Sequence, residues 1–176
     1  MKRLFCSLFL ALAAAGCFYP PTAKPVADDK YQLTLALPFD LAWDAVHTVI
    51  ADNGLHIIAE DPNNGIIESQ AVTGFDLKDA DCGDLRGIAT KYHAEPDAGS
   101  SAVYNFAVKP QGNEASVVSL QAVFTSPLHV PLRTMSEENC VSRGLQEARL
   151  LKEIAQQAQR EHRPEFKPPE EGERRS

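Results

Sequence analysis

The sequence predicts an α+β domain, with a mostly antiparallel six-stranded sheet and two helices on one of its faces. Six short segments alternate apolar and polar residues, which is the period of a half-buried strand. Two other segments space their apolar residues three and four positions apart, as one face of a helix does. Most strands are joined by hairpin-length links, which parallel neighbours cannot use. The predicted order is β-α-β-β-β-β-β-α, and two helices are too few to cover both faces.

The first predicted strand runs directly into the first helix. Apolar residues alternate with polar or small ones from Tyr31 to Leu37, and Pro38 ends this strand. Apolar residues then recur on one helical face: Phe39, Ala42, Trp43, Val46 and Ile50. Gly54 is a natural C-terminal stop. Because Trp43 shares this apolar face, we predict that it packs in the core rather than stacks on a ligand.

The middle of the chain predicts the rest of the sheet. Segments 55–60 and 66–72 flank the turn Asp61-Pro62-Asn63-Asn64-Gly65, in which proline presets φ while Asn and Gly tolerate positive φ. A polar, acidic loop follows from Thr73 to about Arg86. Alternating segments at 88–92, 102–108 and 118–124 supply three more strands.

The last predicted element is a helix that begins near Ser142. A loop holding Pro127 and Pro131 precedes it. Its apolar positions are spaced at helical intervals: Leu151, Ile154, Ala155 and Ala158.

The first 16 residues have the organisation of an export signal. Basic residues follow Met1, and the apolar run Leu4–Ala15 is too short to span a bilayer. The run ends in Ala14-Ala15-Gly16-Cys17, which resembles the lipobox of bacterial lipoproteins. This resemblance implies that Cys17 is lipidated and anchors the chain in a membrane. Phe18 follows, and the absence of Asp there favours the outer membrane, facing the periplasm. The alternative is an ordinary secretory signal that is cut elsewhere.

Four regions are expected along the chain. Residues 1–16 form the lipoprotein signal peptide, and 17–29, with three prolines, form a lipidated tether. Residues 30–159 form the α+β domain. Residues 160–176 are charged and proline-rich, so we expect this tail to be disordered.

The four cysteines predict one disulfide. Cys6 leaves with the signal peptide, and Cys17 is consumed by lipid. Cys82 and Cys140 remain as an even pair in an oxidising compartment, so we predict that they are bridged. The alternative is a reactive thiol, although no CxxC motif is present.

One stretch of the domain resembles a known family. Residues 37–46 (LPFDLAWDAV), the Asn53-Gly54-Leu55 step and the turn from Asp61 to Ile66 are similar to the helix entry and hairpin of BamC-like lipoprotein domains. The segment from Cys140 to Glu147 resembles the helix start in related small envelope lipoproteins. The resemblance implies a helix-grip-like fold. BamC is an accessory of the outer-membrane β-barrel assembly machinery, and no catalytic residues accompany the likeness.

Charge and motifs exclude several classes of function. The net charge of −7 argues against a nucleic-acid partner, which needs a basic face. The histidines have no metal-ligand spacing, and neither a phosphate loop nor a nucleophile elbow occurs. We therefore predict no enzyme activity, no metal and no cofactor. An acidic cluster is interpreted as a solvated loop, with calcium binding as the alternative: Asp76, Asp79, Asp81 and Asp84.

The predicted function is a non-catalytic, membrane-anchored module that binds or helps assemble an envelope protein. The alternative is a carrier for a lipid or other small apolar ligand. Four strand aromatics are candidates for a ligand or partner surface, with core packing as the more frequent role of such residues: Tyr92, Tyr104, Phe106 and Phe124.

Overall fold

A computed structural model describes residues 17–19, 31–76, 78–82, 84–86, 91–93, 99–130 and 133–161. The predicted signal peptide, residues 20–29 of the predicted tether, residue 30 and the C-terminal tail from residue 162 lie outside this part of the chain. The backbone alone is described for 17–19, 84–86, 91–93, 127–130, 133–138 and 161.

The described residues form eleven strands and two helices. The strands are β1 (Cys17–Tyr19), β2 (Gln32–Leu35), β3 (Ile57–Asp61), β4 (Ile66–Ser69), β5 (Val72–Thr73), β6 (Ala80–Asp81), β7 (Asp84–Arg86), β8 (Lys91–His93), β9 (Ser101–Pro110), β10 (Ser116–Val130) and β11 (Arg133–Ser142). The helices are α1 (Phe39–Asp52) and α2 (Leu145–Glu161). Neither described helix is long and apolar enough to cross a membrane.

The main sheet is antiparallel and open, which confirms the predicted α+β class. Its eight strands follow the order β3-β4-β9-β10-β11-β6, with β2 also paired to β10 and β5 also paired to β9. Strand β10 is the centre of this sheet. It pairs with β9 on one side, and on the other side with β2 near one end and β11 near the other.

The strand count and membership differ from the prediction of six. The predicted strand at 88–92 is represented by β8, which joins β1 and β7 in a separate three-stranded sheet. The backbone of Tyr92 therefore lies outside the main sheet. Short strands β5 and β6 also occur where the sequence predicted the end of one strand and a loop.

The prediction of a loop around Pro127 and Pro131 is wrong for most of this segment. Strand β10 continues through Pro127 to Val130, and β11 returns beside it from Arg133. Proline is tolerated because the strand register shifts between Pro127 and His129, and a bulge is where a missing N–H does least harm. Because β11 is polar and shows no alternation, no strand pattern is visible there.

Both helices pack on the same face of the sheet and against each other. Helix α1 buries the predicted positions Ala42, Val46 and Ile50, while Phe39 and Trp43 are partly buried against the core and stack with ring centroids 5.5 Å apart. Helix α2 begins at Leu145, close to the predicted start. Its buried residues are Glu147, Leu150, Leu151, Ile154 and Ala158.

A disulfide joins Cys82 to Cys140, as predicted, with their Cα atoms 4.2 Å apart. It connects the end of β6 to β11, and β11 leads into α2 through Gly144. The two sulfur atoms are therefore bonded rather than available as reactive thiols.

Candidate functional site

The face of the main sheet opposite the helices carries polar side chains. Along β9 and β10 the even-numbered residues from Ala102 to Val108 and from Ser116 to Ser126 are buried, so the odd-numbered residues lie on the open face. Asn105 and Gln121 are direct cross-strand partners there, and Ala107 is the partner of Ser119. The open face thus combines amides and hydroxyls with the aliphatic side chains of Val103, Val117 and Val123.

A groove of about 630 Å³ lies on this open face. Its polar lining combines four side-chain amides with an ammonium and a carboxylate, and its apolar lining is aliphatic except for Phe106. We call it the sheet groove. Its lining includes Gln32, Ile66, Asn105, Lys109, Gln121, Val123, Asn139, Val141, Ser142, Tyr31 and Glu147. Hydrogen-bonding groups thus make up much of its wall.

The groove reaches a gap in the sheet. On the same side of β10, β2 pairs as far as Ser119, and β11 pairs from Phe124 onwards. Residues 120–123 of β10 lie between these two partners. The N–H of Leu120 is satisfied by the carbonyl of Tyr31, at 3.1 Å. Side chains rather than a strand must therefore satisfy the rest of this short edge.

The carboxylate of Glu147 closes the gap. Glu147 lies in the first turn of α2 and is only 1 % exposed. Its Oε1 accepts hydrogen bonds from the Ser142 hydroxyl at 2.6 Å and from the N–H of Ala122 at 3.4 Å. Its Oε2 is buried and has no hydrogen-bond partner among the residues that the structure describes. A buried carboxylate oxygen without a donor is costly, so a hydrogen-bond donor brought to this atom would gain binding energy.

Tyr31 and Gly144 form one side of the gap. The Tyr31 hydroxyl lies against the Cα of Gly144, at a place that a side chain at position 144 would occupy. Burial, together with the negative charge of Glu147, raises the pKa of Tyr31. The phenol therefore stays protonated beside the carboxylate and keeps its ability to donate a hydrogen bond.

Three aspartates of the predicted acidic loop make contacts within the protein. Asp79 is buried and accepts a hydrogen bond from Gln146 at 3.0 Å. Asp76 pairs with Lys78 at 2.8 Å, and the hydrogen bond from Lys78 lowers the pKa of Asp76. Asp81 lies 3.8 Å from Arg143. The side chain of Asp84, the fourth member, is outside the described set.

The strand aromatics occupy different places. Tyr104, Phe106 and Phe124 are 8 %, 1 % and 0 % exposed, so their rings pack in the core beneath the helices. Core packing is the more frequent role that was predicted for these residues. Phe106 also borders the sheet groove. The side chain of Tyr92 is not described.

A second cleft, of about 360 Å³, lies between β2 and the C-terminal half of α2. It is lined mainly by aliphatic side chains: Leu33, Thr34, Leu35, Ala36, Leu37, Ala155, Ala158 and Gln159. We call it the β2–α2 cleft.

Sequence reasoning missed Glu147 and the open-face amides as site residues. Alternation does indicate that Asn105 and Gln121 point away from the core, and this signal could have found them. Nothing in the helical pattern marks Glu147, because an acidic residue in a first turn is ordinary.

Comparison with known proteins found no family model that matches this chain and no curated protein that matches its sequence.

Proposed function

We propose that this protein is a lipid-anchored envelope lipoprotein, held at the outer membrane through Cys17, that acts as a non-catalytic binding or assembly module for another envelope protein. The likeness of residues 37–46 to BamC-like domains supports an accessory role in outer-membrane assembly. The disulfide between Cys82 and Cys140 is consistent with an oxidising compartment.

The observation that carries this proposal is the open, amide-lined face of the main sheet. Both helices pack on the other face, and the sheet groove lies between amides that can donate and accept hydrogen bonds. Ile66 and Val123, at 48 % and 38 % exposed, add apolar contact area at the same place. A polar surface with exposed aliphatic side chains is typical of a protein interface rather than of a lipid pocket.

Photocrosslinking in intact cells tests this face. A photoreactive residue at Val123, on the open face, should capture an envelope protein. The matched position is Lys152, which is exposed on α2. The same residue there should capture no such protein, or a different one. Equal capture from both positions, or capture from neither, would refute a partner on the open face.

The anchor is tested separately. A Cys17→Ser variant has no thiol to carry the lipid, so it should keep its signal peptide and be absent from the outer-membrane fraction. Cys6→Ser is the matched control and should behave as the unchanged protein. A Cys17→Ser protein that matures normally and stays membrane-bound would contradict the anchoring.

The β2–α2 cleft favours a second candidate function, a carrier for a small apolar ligand. Its aliphatic lining and its position between the sheet and a helix suit a short acyl chain. Ala155→Trp should fill the cleft and reduce binding of a fluorescent fatty acid, while Ala148→Trp, at an exposed position of the same helix, should leave binding unchanged. No binding by the unchanged protein would exclude this candidate.

A further inference from the structure

We infer that the sheet groove recognises a lysine side chain of the partner, whose ammonium group enters the gap between β2 and β11 and pairs with Glu147. This inference rests on the proposed function and names the chemistry of the contact. It starts from the buried Oε2 of Glu147, which has no hydrogen-bond donor among the described residues.

Neighbouring basic side chains already have other partners. Arg149, two residues along α2, bonds to Glu153 at 2.9 Å and to Asn53 at 2.6 Å. Arg143 lies 3.8 Å from Asp81. Lys109 borders the groove but lies opposite Val117, five residues along β10 from Ala122, or roughly 17 Å at the rise of an extended strand. A cation at Glu147 would therefore come from outside the described fold.

The single oxygen of Glu147 that has no donor among the described residues selects the kind of cation. Glu147 lies at the bottom of the groove, 1 % exposed, between Ser142 and the edge of β10. Because Oε1 already accepts two hydrogen bonds, only Oε2 is free within the described fold, and a compact ammonium that bonds to a single oxygen suits this site better than the bidentate guanidinium of arginine. Aliphatic groove walls at Val123 and Val141 suit the lysine stem, while the amides of Gln121 and Asn139 suit the backbone of an extended segment.

The ligand would also complete the hydrogen bonding of the site. An ionised carboxylate only accepts hydrogen bonds, and an ammonium offers three donors. A hydrogen bond from the ammonium to Oε2 gives this buried oxygen the partner that it lacks among the described residues. The ion pair then forms where water is excluded. The net charge of −7 attracts cationic segments in general, whereas Glu147 would make the contact specific.

The test titrates the full-length protein, purified from membranes in detergent, with two short peptides. One peptide has a single lysine among glycine and serine residues, and the other has norleucine in its place. We expect the lysine peptide to bind at least about tenfold more tightly and to shift the amide resonances of Ala122 and Ser142. Equal binding of the two peptides, or binding of neither, would overturn the inference without any variant.

Two variants localise the effect. Glu147→Gln should reduce the preference for lysine by about tenfold or more, because the charge is lost while the amide still reaches Ser142 and Ala122. Glu114→Gln removes the same charge from an exposed loop and should leave the preference intact. A preference that survives Glu147→Gln would contradict the role of Glu147.

Further outcomes separate this inference from the proposed function. Binding of spermidine but not of the lysine peptide would indicate a free polyamine and overturn docking of a lysine. If photocrosslinks from Val123 persist while the lysine preference is absent, the proposed function stands and this inference fails. Absence of both the photocrosslinks from Val123 and the lysine preference would refute the proposed function and this inference together.

Discussion

Gly144 has a backbone conformation and a neighbour that both exclude a side chain. Its φ of +79° is a conformation that L residues adopt at a cost of about 1–2 kcal/mol. An added Cβ would also collide with the hydroxyl of Tyr31. Because Gly144 joins β11 to α2, its substitution should disturb the gap beside Glu147 as well as the stability of the fold.

We predict that Gly144→Ala lowers the free energy of unfolding by about 3 kcal/mol, since the collision adds an overpacking cost to the cost of positive φ. Gly112→Ala is the matched control. Gly112 has a φ of +73°, and an added Cβ there has no neighbour within 4 Å, so the loss should be only about 1 kcal/mol. Urea unfolding measures both. Equal losses would mean that the contact with Tyr31 is unimportant.

Tyr104 should make stability depend on alkaline pH. Burial raises the pKa of its phenol above the ordinary value of 10.0, and the negative charge of Asp79 adds to the effect. The unfolded chain therefore loses this proton at a lower pH than the folded protein does. Its contribution to stability is full below pH 10 and declines as the pH rises above it.

The corresponding measurement is the free energy of unfolding as the pH is raised through about 9 to 11, for the unchanged protein and for Tyr104→Phe. The variant should show a shallower decline, because it has no phenol to ionise at this site. Identical slopes would contradict the raised pKa of Tyr104. Tyr31 shares the direction of shift, so some decline should remain in the variant.

At the scale of an element, the β3–β4 hairpin depends on one carboxylate. Asp61 accepts hydrogen bonds from the N–H of Asn63 at 3.1 Å, from the N–H of Asn64 at 3.2 Å and from the side chain of Asn64 at 2.6 Å. These bonds lower the pKa of Asp61, with the side chain of Asn64 as the largest cause. The turn is therefore stabilised while Asp61 is ionised.

We predict that acidification loosens this hairpin before the rest of the sheet. A lowered pKa means that the stabilisation is present above the ordinary carboxyl pKa and is lost as the pH falls through the lower, folded value. The protection of the Asn63 and Asn64 amides, taken relative to their intrinsic exchange rates at the same pH, should fall there. Asp61→Ala should show the faster exchange already at neutral pH, whereas Glu114→Gln should not. Protection that is unchanged in Asp61→Ala would refute the role of this carboxylate.

The elements also differ in how well the sequence predicts them. Helix α1 and strands β9 and β10 have strict periodicity because one side of each faces the core, and their buried residues follow the prediction. Strand β11 has none of this periodicity. Its pairing with β10 depends on backbone hydrogen bonds, and these leave no pattern in the side chains.

At the scale of the whole molecule, the disulfide links segments that are distant along the chain. Cys82 and Cys140 are separated by 58 residues, and their bond attaches the acidic segment to the strand that leads into α2. The bond limits the conformations of the unfolded chain, so its loss should destabilise the entire domain.

We predict that replacing both cysteines with serine lowers the free energy of unfolding by about 4 kcal/mol, the chain-entropy value for a loop of this length. Denaturation with and without reductant is the measurement. Reductant should lower the free energy of unfolding of the unchanged protein to about that of the double variant. It should leave the free energy of unfolding of the variant itself unchanged. If the unchanged protein has the same free energy of unfolding with and without reductant, although the reductant has access to the unfolded chain, the result would argue against the bridge.

The sequence by itself determined the α+β class, the helix faces, the hairpin turn and the pairing of Cys82 with Cys140, because periodicity, turn chemistry and cysteine number are properties of local sequence and composition. Only the tertiary structure decided where β2 ends and β11 begins along β10, and therefore where the gap occupied by Glu147 lies. Alternation shows which face a side chain is on, but it does not show which distant strand lies beside it. That neighbour depends on register, which arises from the packing of the whole sheet.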